Sequence, residues 1–120
     1  MLIVLFIGCK PKAEWIRVVG KGADSVTVEW LVPHDCRKDH GPNVPHHLAL
    51  DGFRVYIKDA GIPDAEWKPV SDLDHYMSRL VVGGLNPEKS YYFGVAALNQ
   101  LGPGDIVSTK EPVSPEAITS

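Results

Sequence analysis

Cys36, His40, His46 and His47 fall within one short stretch of this 120-residue chain, and each carries a side chain that can hold zinc through sulfur or imidazole nitrogen. The spacing, Cys-x3-His followed by adjacent histidines, is not that of a common zinc ligand set. Adjacent residues in an extended loop point apart, so His46 and His47 do not readily reach one ion. The four are weak metal candidates in a solvated loop, and no cofactor is expected. A second group, Ser71-Asp72 and Asp74-His75, holds the residue types of a hydrolytic site. Catalysis needs nucleophile, base and orienting group to converge in a pocket, and neighbours on an exposed turn do not. The chain has no His-Glu-x-x-His, nucleophile elbow or phosphate loop after a strand, so it reads as no enzyme.

Three further groups concern binding. Lys10, Lys12, Arg17 and Lys21 surround Trp15 and read as a mildly basic, solvated strand edge. Gly102-Pro103-Gly104-Asp105 is a tight turn, and no Arg-Gly-Asp tripeptide occurs in the chain. Strand alternation turns Tyr92 outward, opposite Tyr91, and Trp67 sits on a short strand near an edge; these two are the expected protein-contact residues, because aromatic side chains are enriched at interfaces.

The elements that must position these residues follow from length and period. The length suits one domain with short tails, and its hydrophobic share of 44% and charged share of 22% are those of ordinary globular chains. A formal charge of -3 lacks the clustered basic field of a nucleic-acid binder, so no nucleic-acid partner is expected. The two cysteines, Cys9 and Cys36, do not form a disulfide framework, and Asn43, Asn86 and Asn99 are not glycosylation acceptors. Both facts lean towards a reducing compartment. Met1 to Gly8 is an apolar run too short for a membrane span or a secretory signal. It reads as an extra edge strand or a leader, and no membrane span is expected.

From residue 13 onward the dominant period is two, which predicts half-buried strands. Ile16 and Val18 share a face, as do Val26, Val28 and Trp30 before Pro33 stops the ladder. A long polar connection covers 33–49. Phe53, Val55 and Ile57 share the next face. Trp67 opens a short strand closed by Pro69, Leu80 and Val82 mark another, and Tyr91, Phe93, Val95 and Ala97 line the longest. Asn86-Pro87-Glu88-Lys89 is a turn by composition. A last strand is centred on 106–109, and Pro112 and Pro115 are expected to fray the C-terminus. This pattern predicts an all-β fold, a seven-stranded antiparallel β-sandwich with single apolar faces packed between two sheets.

Residues 11–113 resemble a fibronectin type III domain. The resemblance is carried by Trp30 with Pro33 after it, by Leu50-Asp51-Gly52-Phe53-Arg54-Val55, and by Leu85-Asn86-Pro87 ahead of a corner tyrosine, Tyr91. Val95, Ala97, Asn99 and Gly102 complete it. It implies Trp30, Leu85, Tyr91 and Val95 as structural core, with the Tyr91 hydroxyl sent back to backbone near Leu85. Asn99 and Gly102 suit a turn with positive backbone angles. A finer likeness joins Leu50 to Phe53, Ala65-Glu66-Trp67, Ala97 to Gly104 and Lys110-Glu111-Pro112-Val113 to the intracellular muscle branch of that family, as in titin and myosin-binding protein C. The fibronectin III resemblance implies 11–113 as the domain, which leaves 1–10 as an apolar leader with no counterpart in that family and 114–120 as a C-terminal tail or linker. The implied role is a non-catalytic structural and protein-interaction module, cytoplasmic in the sarcomere or cytoskeleton. Its implied partners are other proteins and neighbouring immunoglobulin-like or fibronectin III domains of a parent chain. The alternative is an extracellular receptor or adhesion domain that binds a protein ligand.

Overall fold

The computed structural model describes residue 13, residues 15–31 and residues 50–115. The leader 1–10, the connection 33–49 with Pro33, Cys36, His40, His46 and His47, and residues 116–120 lie outside the described residues. β-branched residues at alternate positions form the first hairpin, β1 (Ile16–Lys21) and β2 (Val26–Trp30), closed where the Gly22 N–H donates to the Ser25 carbonyl at 2.8 Å. The chain continues through β3 (Gly52–Asp59), β4 (Lys68–Asp74), β5 (Arg79–Val82), β6 (Tyr91–Asn99), β7 (Gly102–Pro103) and β8 (Val107–Ser108). A three-stranded sheet has the order β1-β2-β5, and a five-stranded sheet has the order β4-β3-β6-β7 with β8 also on β6. Every strand pair among the described residues is antiparallel. The fold is therefore an all-β antiparallel sandwich.

Between the sheets lie Val26, Val28 and Trp30 from one layer and Phe53, Val55, Phe93, Val95 and Ala97 from the other, all buried. The Trp30 and Phe53 rings meet at 5.6 Å and 59° across this seam. Burying side chains of this size supplies the main stabilising term, because removing apolar surface from water is worth about 25 cal/mol per Å².

Four details differ from the sequence reading. Gly102-Pro103, expected in a tight turn, forms the short strand β7, and the last strand shrinks to β8; both pair with β6, with the register slipping by one residue between Leu98↔Pro103 and Val95↔Val107. Pro69 does not close a strand; it sits inside β4 at a register shift opposite Val55/Tyr56. Proline is tolerated there because β4 is the edge strand of this sheet among the described residues, where none of them needs its missing N–H. The central strands are not apolar on one face alone: Tyr56, Gly94 and Ala96, which point away from the seam, are also buried. Finally, the C-terminal segment does not fray at Pro112. Tyr91 and Val113 exchange two backbone hydrogen bonds of 2.8 Å, the Ser90 and Ser114 hydroxyls lie 2.8 Å apart, and Pro115 is buried.

Candidate functional site

The register of the larger sheet dictates what stands on its outer face. β3 turns Arg54, Tyr56 and Lys58 outward, and β6 sets Ala96, Gly94 and Tyr92 directly opposite them. The turn that follows β3 is fixed by the Asp59 carboxylate, which accepts the Gly61 N–H at 2.8 Å and pairs with Lys89 at 3.3 Å. That turn returns the chain so that Trp67, just before β4, folds over the same face.

Trp67 is half-buried. Its ring meets Tyr56 edge-on at 6.5 Å and 69°. Lys58 Nζ stands 4.6 Å above the Trp67 ring and 5.7 Å above that of Tyr92. Each cation–π contact of this kind is worth about 0.5–1 kcal/mol at an exposed site. Gly94 makes room for the indole: a Cβ there would stand 3.4 Å from Trp67 Cη2 and 2.6 Å from Ile106 Cγ2. Next to this stack Arg54 grips Asp72 through two bonds, Nε–Oδ1 at 2.7 Å and NH2–Oδ2 at 3.0 Å. The arginine holds the Asp72 carboxyl below its usual range, and Asp72, followed by the Tyr56 side chain, raises Arg54. Two aromatic faces and a lysine are thus fixed in place before any partner arrives, which lowers the ordering entropy of a contact.

The other residues singled out in the sequence separate into distinct environments. Trp30 and Val95 are buried in the seam, and the Trp30 indole N–H finds no acceptor among the described residues. Tyr91 and Leu85 are half-buried at the core margin, where the Tyr91 hydroxyl accepts the Asn86 N–H at 3.0 Å. Asn99 does not take a positive backbone angle; it caps its turn with Oδ1, which accepts the Leu101 N–H at 2.8 Å, while Gly102 carries the positive φ of 112°. Ser71, Asp72 and Asp74 lie along β4 rather than on a turn, and only His75 is in one. Asp72 is held by Arg54, and Asp74 accepts the Tyr76 hydroxyl at 2.8 Å, so the group does not converge. Among the described residues no three His, Cys, Asp or Glu side chains are placed to hold a metal ion. Cys36, His40, His46 and His47 lie outside those residues, as do Lys10 and Lys12. Arg17 stacks over Trp15 at 4.7 Å and bonds Glu29.

Sequence reasoning did not single out Lys58, Tyr56 or the Arg54–Asp72 pair. The signal was present: Arg54, Tyr56 and Lys58 alternate on one strand and share the outward face with Tyr92. What brings Trp67 to them is the length of the turn after Asp59, which periodicity does not measure.

No protein-family model matches the sequence. Solved structures do match. The kinase region of twitchin from C. elegans superposes with a TM-score of 0.66 at 17% identity, over 89% of this chain and 17% of that one. The FN1–FN3 domains of chicken CNTN1, a contactin, give 0.63 at 22% identity, over 87% and 33%. Consecutive domains of titin give 0.60 at 23% identity, over 88% and 30%. This chain spans at most a third of those multidomain chains. No helix among the described residues is long and apolar enough to cross a membrane. The chain has the fibronectin type III/immunoglobulin-like sandwich fold that these modular muscle and adhesion proteins share.

Proposed function

We propose that the chain is a non-catalytic structural and protein-interaction module of a larger modular protein of the sarcomere or cytoskeleton, and that it touches its partner with the outer face of the five-stranded sheet. The observation that carries this reading is the Lys58 ammonium set over both Trp67 and Tyr92, an aromatic surface held ready on rigid strands. Support for the muscle setting comes from the Leu50–Phe53 and Ala97–Gly104 segments and from the likeness to twitchin and titin domains. Residues 11–113 are the domain in this proposal, with 1–10 and 114–120 as flanking segments.

Photo-crosslinking from a probe residue placed at Pro69, which pairs with Tyr56 and is exposed on the same outer face, in muscle and non-muscle lysates, tests it. The expected result is a defined adduct enriched in muscle and lost in Trp67→Ala and Tyr92→Ala variants that still melt cooperatively. Equal adducts from both lysates would remove the sarcomeric assignment, and adducts indifferent to both substitutions would remove the face. The likeness to chicken CNTN1 favours the second reading, an extracellular receptor or adhesion domain. In that case the adduct is recovered from cell-surface or matrix fractions.

A further inference from the structure

Among the described residues, every sheet edge but one is guarded against pairing with another strand. β1 is broken by the register shift at Val19. β4 holds Pro69 and a register shift that leaves Val70 without a partner residue on β3. β7 and β8 are two residues each, and β7 holds Pro103. Short strands, prolines and bulges are the devices by which sheets avoid joining edge to edge. β5 has no proline and no bulge: Arg79 to Val82 pair with β2 in unbroken register, and no described strand lies on their other side. Its one charge, Arg79, is drawn back towards β2 by Glu29 Oε2 at 3.1 Å.

One bond fixes which backbone groups face this edge. The Trp30 N–H donates to the Ser78 carbonyl at 3.0 Å, so the antiparallel alternation turns the N–H and C=O of Leu80 and Val82 towards β2. Arg79 and Val81 therefore turn theirs to the open side. The Leu80 and Val82 side chains pack on the core, and Val81 is 61% exposed. Beyond them Gly83 has open space where a Cβ would stand, and the chain turns away at Gly84 with a φ of 71°.

A disordered peptide gains little at so short an edge, because fixing each of its residues costs about as much as one net hydrogen bond returns. A strand that is already folded does not meet that cost. The β5 of a second copy is such a strand, and it is self-complementary. A two-fold axis through Val81 sets Val81 on its own copy, Leu80 on Val82 of the second copy, and Arg79 on Gly83 of the second copy. Edge-facing groups then meet edge-facing groups, and apolar side chains meet apolar ones. The arginine side chain lies over a residue with none, and the two arginines stand four residues apart along the ladder, about 13 Å, so no like charges oppose each other. A slip of one residue would set edge-facing groups against groups turned inward. An axis through Leu80 would forgo the Gly83 bonds and set Arg79 on Val81.

We infer that two copies of this chain pair β5 to β5 about Val81, joining their smaller sheets into one antiparallel sheet of order β1-β2-β5-β5-β2-β1. One strand edge is a small contact, so the dimer is weak, and at micromolar concentration the chain is a monomer. The inference is independent of the aromatic face on the opposite sheet.

The test is sedimentation equilibrium of the full chain up to about 1 mM, with amide hydrogen exchange at the two ends of the concentration range. The expected result is a mass that climbs towards that of two copies, with the Arg79 and Val81 amides slowing only as concentration rises. Val81→Lys and Val81→Glu change an exposed side chain and leave the β2 ladder intact, so both should melt cooperatively. Each alone should weaken self-association about tenfold or more, because like charges meet at the axis. Mixed in equal amounts, the two variants should pair at least as tightly as the parent, lysine on glutamate. No association at about 1 mM would overturn the inference, and so would association indifferent to both substitutions, which would place the contact elsewhere, as on the apolar run 1–8. A mixture that stays monomeric, or Arg79 and Val81 amides protected equally at every concentration, would overturn it as well.

Discussion

The two outward faces of the sandwich solve the same problem differently. On the three-stranded sheet the outer residues of the central strand are Thr27 and Glu29, and they stay in contact with water through a charged ladder. On the five-stranded sheet the central strands β3 and β6 bury Tyr56, Gly94 and Ala96 under Trp67, Ile106 and the Arg54–Asp72 pair. One face is decoration on a sheet that needs only its inner side. The other is a thin second core, so its side chains carry stability as well as contact chemistry. Substitution should therefore separate the two faces, with the seam between the sheets as the upper reference.

The largest loss is expected in the seam. Trp30→Ala should cost about 3–5 kcal/mol by denaturant unfolding. Trp30→Phe should cost much less, because it removes a buried N–H that has no acceptor among the described residues, and leaving such a donor unpaired costs about 1–3 kcal/mol. If the two variants lose equally, the unpaired indole N–H carries no penalty.

On the aromatic face, Trp67→Ala should cost about 1–2 kcal/mol, roughly half of a full aromatic truncation because the ring is only half-buried. Gly94→Ala should lose a comparable amount by pressing on Ile106 and Trp67, as overpacking in a closed site costs about 1–3 kcal/mol. The charged face should hardly respond: Val81→Ser is expected within about 0.5 kcal/mol of the parent. A Val81→Ser loss as large as that of Trp67→Ala would erase the distinction between the faces.

Acid offers a finer comparison. Arg17 first and then Arg79 hold the Glu29 carboxyl below its ordinary value, and Arg54 does the same for Asp72. A depressed folded value means both groups stabilise the fold above the unfolded carboxylate range. That contribution disappears as the pH falls through their folded values. Glu29→Gln and Asp72→Asn should each flatten the fall in melting temperature between neutral and strongly acid pH. The effect is expected to be small for both, because these pairs are open to solvent. Tyr91→Phe should also cost little, about 1 kcal/mol or less by denaturant unfolding, since the Asn86 N–H it abandons can turn to water.

The alternating apolar residues of β1, β2, β3 and β6, and the turn chemistry at Asn86 and Gly102, were legible in the chain as written. Period two and turn residues are local properties, and any sheet must honour them. The same local rules misplaced Pro69, because whether a strand lies at an edge depends on what pairs beside it. They also gave β3 and β6 only one buried face, because cover from Trp67 and Ile106 comes from residues distant in the sequence.

Composition and period alone determined that this chain forms an antiparallel sandwich with Trp30 between its layers, since each strand's apolar face can be hidden only against another. Only the tertiary structure decided that Lys58 stands over Trp67 and Tyr92, and that Glu29 is shared by Arg17 and Arg79. Those contacts join strands across many residues of chain, and their register is set by the packing of the whole sheet.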